Sequence, residues 1–372
     1  MSEGNVRRFH RRLSSEEAKF AAECLLSVPI EERGGKAQDF YLDDPDAILP
    51  LLGILRGKLD TSPSLVRDEA EYFYRFLEKE VPGLPGELFL FDERNYFLGD
   101  AARLAGIACR VLSRREEARR WFDLSESWFL TTIDPAKNLS LLSYQRLALL
   151  TEERRFEEVL RVLPQLIAAF KSFEMAEDAL KCRFLEGQAL RETGQLREAL
   201  VLFRETCRES QALGSGKLLG WSYVNLLQIH AFFGEVEEAF QVACDATPLL
   251  RGLENRVGLA KIQWGLGTLL RSEGKLSEAI EAYRMAQKEF AEIGMSADVA
   301  AIHLVVADLL LDAGQEPQAR WEIQAALPVI EEFKLVPEGV AALSLLRQSL
   351  QNPRLNRQAL RDLHGYFPDR DA

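Results

Sequence analysis

The sequence predicts an all-α fold, in which an array of helix-turn-helix units follows a small helical module. Two observations predict the array. The segment "GQLREAL" begins at Gly194, and the similar segment "GKLSEAI" begins eighty residues later at Gly274. Around them, apolar residues return every three and four positions, which is the period of an amphipathic helix. An array is expected because two helices cannot bury such broad apolar faces alone, whereas stacked neighbours can.

The repeat has a step of forty residues. Four turn glycines share this step: Gly194, Gly234, Gly274 and Gly314. So do the alanines five residues after them: Ala199, Ala239, Ala279 and Ala319. The same spacing extends back to Val159 and, with a step of forty-one, to Ala118. The sequence therefore predicts six repeats over about 98–333.

Small and aromatic residues alternate inside the repeats in a way that predicts close helix packing. Three glycines precede an aromatic residue by sixteen positions: Gly106 before Phe122, Gly187 before Phe203, and Gly267 before Tyr283. A residue without a large side chain lets the first helix approach the second closely. We expect the alanine between each pair to accept that contact and the aromatic ring to fill the gap one turn further on.

The regions outside the repeats carry their own helix signals. In 1–90, Ser14 and Glu17 predict a capping box, and Pro63 predicts a later helix start, so this region is expected to be a helical module. Residues 334–372 contain two more apolar periodic segments, which predict helices that cap the array. Gly34 and Gly35 are predicted to break the chain, and Asp44 is predicted to start a helix. Pro82 and Pro85 predict the junction with the repeats, and the tail FPDRDA is expected to be mobile.

These spacings resemble those of the tetratricopeptide-repeat (TPR) family. Leu266 and Gly267 match the family's L-G pair, and Ala279 with Tyr283 matches its A-x3-F pattern. A forty-residue unit is similar to the long repeats of MalT-like activators and of the peptide-sensing Rap and PlcR-like proteins. The resemblance implies a right-handed α-solenoid in which the first helix of each repeat lines a concave groove.

The resemblance also implies which residues face that groove. They are Tyr144, Gln145, Glu152, Lys181, Phe184, Gln188, Arg191, Trp221, Asn225, Gln228, Phe232, Lys261, Trp264, Thr268 and Arg271. Lys181, Arg191, Lys261 and Arg271 outnumber the acids of the same stretch, which favours a partner with an acidic or carboxylate-bearing segment. Asn225 occupies a place where long-repeat peptide binders hold the ligand backbone. The alternative is that these side chains are solvated or pack between repeats.

Composition excludes several function classes. The net charge of −12 argues against a nucleic-acid partner, although the N-terminal stretch NVRRFHRR leaves a basic arm as an alternative to a solvated end. Neither catalytic motifs nor paired histidines occur, so we expect no enzyme activity, no metal and no cofactor. Five scattered cysteines predict a reducing compartment, and the lack of a bilayer-spanning apolar run predicts a cytoplasmic protein without a membrane partner.

Two functions therefore stand as hypotheses. The first is a non-catalytic scaffold that binds a partner protein or peptide in the groove. The second is a regulator whose affinity for a transcriptional or signalling partner changes when it binds a peptide or other effector. The oligomeric state does not follow from the sequence.

Overall fold

The computed structural model describes residues 14–33, 45–59, 62–79, 91–112, 114–331, 337–352 and 355–365. These residues form α-helices, with one short 3-10 helix at Ile30–Glu32 and no strand among them. The chain divides into two compact units, Met1–Leu149 and Leu150–Ala372. The sequence predicts other boundaries: a module over 1–90, repeats over 98–333 and a capping region over 334–372. These boundaries rest on the repeat pattern and stay a prediction.

Unit 1 is helical throughout its described part. Its helices are α1 (Ser15–Leu26), α2 (Pro45–Gly57), α3 (Pro63–Lys79), α4 (Phe91–Val111), α5 (Arg115–Phe129) and most of α6 (Ala136–Glu152). The capping box predicted at Ser14 and Glu17 is present, and α3 begins at Pro63 as predicted. Arg33 and Glu69 form a buried ion pair with N–O distances of 2.5 and 2.7 Å.

Unit 2 contains the remaining helices. They are α7 (Phe156–Ser172), α8 (Ala176–Glu192), α9 (Leu196–Leu213), α10 (Gly216–Phe233), α11 (Val236–Gly252), α12 (Arg256–Ser272), α13 (Leu276–Glu292), α14 (Ser296–Asp312), α15 (Glu316–Glu331), α16 (Pro337–Leu350) and α17 (Arg357–Gly365). From α7 to α15, each helix packs against the next one along the chain. Unit 2 is therefore a stack of helix pairs, as the repeat pattern predicts.

Short turns with a left-handed residue separate these helices. The predicted turn glycine Gly194 has φ of +80°, and Gly274 has φ of +74°. Within 114–331, left-handed residues recur every twenty positions: Arg154, Glu174, Gly194, Gly214, Gly234, Glu254, Gly274, Gly294 and Gly314. The turns within and between repeats thus share a left-handed residue, and the forty-residue pattern of turn glycines marked four of these nine.

The close helix packing predicted from the glycines is present. A Cβ atom on Gly187 would lie 2.9 Å from the ring of Phe203, and one on Gly267 would lie 3.0 Å from the ring of Tyr283. The nearest atoms to such a Cβ belong to the aromatic ring. The alanine four residues before the ring is fully buried, as Ala199 with 0 % exposure shows.

The C-terminal segments form the two predicted helices. The last one, α17, packs against both α14 and α16. Its residues Leu360 and Leu363 are buried in the same apolar core as Leu304 of α14. An amphipathic helix of nine residues thus covers one side of α14.

Some sequence predictions fall on residues outside the described ranges. They concern the basic stretch 5–12, His10, Gly34, Gly35, Asp44, Pro82, Pro85 and the tail 367–372.

Candidate functional site

The predicted groove residues of unit 2 lie on the first helix of successive repeats, which we call the A helices: α8, α10, α12 and α14. We call the surface that these residues form the A-helix face. It comprises Lys181, Phe184, Gln188, Arg191, Trp221, Asn225, Gln228, Phe232, Lys261, Trp264, Thr268, Arg271 and the positions forty residues further on at Leu304, Val305 and Asp308. Tyr144 and Gln145 belong to unit 1, where both are half-buried.

Hydrogen bonds between neighbouring A helices hold part of this face together. Arg191 of α8 donates to Oδ1 of Asn225 on α10 over 2.9 Å, and it also contacts Oε1 of Gln228. Nδ2 of Asn225 donates to the backbone oxygen of Trp221 over 2.9 Å. Both ends of the Asn225 amide are therefore occupied by protein groups, and its side chain is buried at 3 % exposure.

The same interhelix contact recurs eighty residues later. Arg271 of α12 donates to Oδ2 of Asp308 on α14 over 2.6 Å. Arg271 occupies the register position of Arg191, and Asp308 occupies that of Gln228. An arginine near the end of one A helix thus binds a polar side chain in the C-terminal half of the next A helix in both places.

The predicted residues differ in how far a ligand can reach them. Four of them are buried: Phe184, Gln188, Asn225 and Lys261. Six are half-buried: Lys181, Arg191, Trp221, Gln228, Trp264 and Thr268. Arg271 is half-buried too, and Phe232 is 72 % exposed. The accessible part of the A-helix face therefore combines aromatic rings, amide and hydroxyl groups, and arginines.

Carboxylates compensate most of the predicted positive charge. Lys181 lies 3.1 Å from Asp178, and Arg191 lies 2.8 Å from Glu192. Arg271 is paired with Asp308, as described above. These acids come from the same helix or from the next A helix, so the middle of the face carries much less net charge than its lysines and arginines alone would give it.

Positive charge is in excess at the end of the face formed by α14. Arg271, Arg357 and Arg361 surround the buried Asp308. Burial alone would raise the pKa of Asp308, but its bonds with these guanidinium groups lower that pKa below the usual value. A second carboxylate, Asp312, lies 2.6 Å from Arg357.

A small cavity lies beside this arginine cluster. It has a volume of about 90 Å³ and is lined by residues of α12, α14 and α17. They are Arg271, Leu304, Val305, Asp308, Leu360, Arg361 and His364. This place does not follow from the repeat pattern, because Arg357 and Asp308 are 49 residues apart in the chain and belong to no common repeat.

A second buried carboxylate, Glu322 of α15, lies away from the predicted residues. His303 Nδ1 lies 2.5 Å from one of its oxygens, and Arg284 contacts both oxygens. Burial alone would raise the pKa of Glu322, whereas these two contacts lower it below the usual value. Sequence spacing gave no reason to pair His303 with Glu322.

Two kinds of site are not found among the described residues. No three of their histidine, cysteine, aspartate and glutamate side chains group closely enough to hold a metal ion. None of the described helices combines the length and the apolar character that crossing a membrane requires.

No protein-family model matches the sequence, and no curated protein matches it. Solved structures do match. A Rap conjugation gene regulator of the plasmid pLS20, in complex with the Phr* peptide, has a TM-score of 0.59 at 16 % identity, over 95 % of this chain and 94 % of that one. The described chain has a Rap-type TPR fold.

Two further structures share the Rap-type TPR fold. The apo form of the quorum sensor NprR from B. thuringiensis has a TM-score of 0.57 at 14 % identity, over 82 % of this chain and 84 % of that one. Aspartyl phosphate phosphatase F from Bacillus subtilis has a TM-score of 0.51 at 11 % identity, over 87 % of this chain and 96 % of that one. At such identities the likeness concerns the fold.

Proposed function

We propose that this protein is a non-catalytic binding protein that captures a peptide, or a peptide segment of a partner protein, on its A-helix face. One observation carries the proposal: the accessible strip of the A-helix face has half-buried aromatic, amide and hydroxyl side chains on α10 and α12, next to half-buried cations on α8. Amides both donate and accept hydrogen bonds, which suits an extended peptide backbone, and aromatic rings offer apolar contact to its side chains.

The fold supports the same proposal. The Rap conjugation gene regulator of pLS20 has this fold and binds the Phr* peptide. Fold alone does not determine function, so peptide binding depends on the residues of this chain. The residues that we assign to peptide contact are the accessible ones of the A-helix face: Lys181, Arg191, Trp221, Gln228, Phe232, Trp264, Thr268 and Arg271. The assignment of Tyr144 and Gln145 stays a prediction from the sequence. The buried Phe184, Gln188, Asn225 and Lys261 position their neighbours.

A peptide-capture experiment tests the proposal. Peptides that co-purify with the intact protein are identified by mass spectrometry, synthesised with a fluorophore and titrated by fluorescence anisotropy. The double variant Gln228→Ala/Phe232→Ala should lower the affinity at least about tenfold, because it removes about 1.4 kcal/mol or more of binding free energy. The control Val201→Ala removes an exposed apolar side chain from α9, outside the face, and should leave the affinity unchanged. Equal affinities of both variants would contradict the proposal.

A second candidate function is a peptide-responsive regulator. The division of the chain into two compact units favours it, because a regulator needs a part that binds the effector and a part that acts on a partner. The quorum sensor NprR shares the fold. Hydrogen exchange of unit 1, measured with and without the captured peptide, separates the two functions: protection that changes outside the binding residues supports regulation, and unchanged protection supports a passive scaffold.

The absence of catalysis is part of the proposal. Aspartyl phosphate phosphatase F has the same fold, so aspartyl-phosphate hydrolysis is the activity to exclude. Incubation with an aspartyl-phosphorylated protein should release inorganic phosphate no faster than buffer does. Faster release would contradict a purely binding function. We further propose that the protein acts in the cytoplasm, without a nucleic-acid partner.

A further inference from the structure

The helix α17 covers the A-helix face at α14 and ends the accessible strip there. Leu360 of α17 is 1 % exposed, and it packs in one core with Leu304 of α14, which is also 1 % exposed. Val305 and Asp308 occupy the register positions that Asn225 and Gln228 occupy two repeats earlier. The 90 Å³ cavity therefore lies where the strip meets a helix of the same chain.

The cavity has unused hydrogen-bond donors. Arg271 uses one Nη atom on Asp308, and Arg361 approaches the same carboxylate through Nε at 3.3 Å. Their remaining guanidinium nitrogens have no partner among the described residues. Their side chains are 36 % and 51 % exposed, so solvent or a ligand reaches them.

The charges around the cavity do not balance. Three arginines face two carboxylates, Asp308 and Asp312, of which Asp308 is buried. One positive charge is therefore in excess among these five side chains, and two of the arginines, Arg271 and Arg361, line the cavity. An arginine fork binds a carboxylate with two parallel hydrogen bonds, and such charge-assisted bonds are about twice as strong as neutral ones.

Part of the cavity wall is apolar. Leu304, Val305 and Leu360 form it. A volume of 90 Å³ is well above the about 15 Å³ that a cavity needs to hold one water molecule, which suits a carboxylate with a few carbon atoms beside it. A phosphate group would leave the apolar wall without a contact, whereas a carboxylate next to a small apolar side chain uses both parts of the wall.

We propose that this cavity binds the C-terminal carboxylate of a peptide whose last side chain is small and apolar. Arg361 and Arg271 hold the carboxylate, and Leu304, Val305 and Leu360 contact the side chain. A chain end fits here better than a chain interior because α17 blocks continuation along the face. The inference rests on the proposed peptide binding, and it specifies which end of the peptide is recognised and by which residues.

The test uses the full chain and two peptide libraries. Both consist of fluorescein-labelled pentapeptides with four randomised positions and a final valine; one has a free carboxylate, and the other a C-terminal amide. Because the cavity contacts only the last residue, every library member contributes to binding. Fluorescence anisotropy should show at least about tenfold tighter binding of the free acid, since the amide lacks the charge that the arginines pair with.

A matched pair of variants tests whether the difference in affinity between acid and amide arises in the cavity. Arg361→Gln should bring the affinity for the free acid close to that for the amide, and Asp308 would keep its bonds to Arg271 and Arg357. The control Arg347→Gln removes a 57 % exposed arginine that is paired with Glu331 on α15, and it should retain the full difference. The comparison of acid and amide on the unmodified protein needs no variant, so it remains valid even if a substitution disturbs folding.

Several outcomes would overturn the inference. Equal binding of acid and amide, an unchanged preference in Arg361→Gln, or no binding of either library would each do so. Displacement of the free-acid library by inorganic phosphate as readily as by acetyl-valine would overturn the assignment to a carboxylate beside an apolar group. Capture of peptides that depends on Gln228 and Phe232, without any preference for the free acid, would overturn this inference and leave the proposed function standing.

Discussion

Arg191 and Asn225 lie 34 residues apart in the chain, and a hydrogen bond of 2.9 Å joins them across the boundary between two repeats. Asn225 is buried, so its side-chain oxygen has no access to bulk water as a substitute partner. The bond therefore contributes to the stacking of α8 on α10. It also means that a peptide that bonds to the Asn225 oxygen has to compete with Arg191.

Replacing Arg191 should destabilise the protein. Arg191→Met removes the donor and leaves the buried Asn225 oxygen without its partner, which we expect to cost about 1–3 kcal/mol. Urea unfolding measures the change. Arg204→Met on α9 is the control, since Arg204 is exposed and its loss should stay within about 0.5 kcal/mol. Equal unfolding midpoints for the two variants would show that the bond adds nothing to stability.

The glycines that face aromatic rings should not tolerate a methyl group. Gly187→Ala would place Cβ 2.9 Å from the ring of Phe203, which has 0 % exposure and little room to move. We expect a loss of about 1–3 kcal/mol from overpacking. Gly252→Ala, at the end of α11, meets no atom within 4 Å and should be neutral or slightly stabilising. Thermal unfolding of both variants measures the difference. Equal melting temperatures of Gly187→Ala and Gly252→Ala would contradict the overpacking.

The cysteines should differ in reactivity with iodoacetamide at pH 8. Burial raises the pKa of Cys182 and of Cys207 to about 12, and that of Cys109 to about 11, so these thiols stay protonated as well as inaccessible. Cys244 is exposed. Mass spectrometry of the native protein should find alkylation of Cys244 first and of the three buried thiols only after unfolding. Early modification of Cys182 would indicate that the α8 core opens in the native state.

Asp308 should make stability depend on pH in the acid range. Its folded pKa lies below the usual value of 3.8, so the ionised form stabilises the fold above that pH, and this contribution is lost as the pH falls through the lower folded pKa. Asp308→Asn should therefore cost on the order of 2 kcal/mol at pH 7, because it weakens charge-assisted bonds. The difference from the unmodified protein should narrow below about pH 4.

Urea titrations at pH 7, 5 and 3 measure this dependence. Asp362→Asn, on the exposed side of α17, is the control and should follow the unmodified protein at every pH. A difference between Asp308→Asn and the unmodified protein that stayed constant from pH 7 to pH 3 would contradict the role of the Asp308 charge.

The fold was predictable from the sequence where a local backbone requirement selects a residue type. Gly194 and Gly274 mark left-handed turns, and such turns favour glycine because it has no Cβ atom. Arg154 and Glu254 adopt the same conformation without glycine, with φ of +61° and +52°. Their turns are imposed by the packing of the flanking helices, and no single residue signals them.

The candidate site was predictable only in part. The repeat pattern assigns Arg191, Asn225 and Gln228 to successive A helices, and hydrogen bonds join Arg191 to the other two, a contact that the pattern did not predict. Register gives the direction of a side chain and not the depth to which neighbouring helices cover it, so the burial of Lys261 did not follow from it. The contact of Arg357 with Asp308 arises from the docking of a helix outside the repeats, and no periodicity reports it.

Left-handed turns recur every twenty residues, so the segments of unit 2 between successive turns all have the same length. Each segment from one such turn to the next supplies one helix and one connection, and two segments form a repeat. Excising 235–274 would join Gly234 to Lys275, so a turn glycine would again precede a helix start. Whole repeats of forty residues can therefore be removed from the array or added to it, and the connecting turns stay the same.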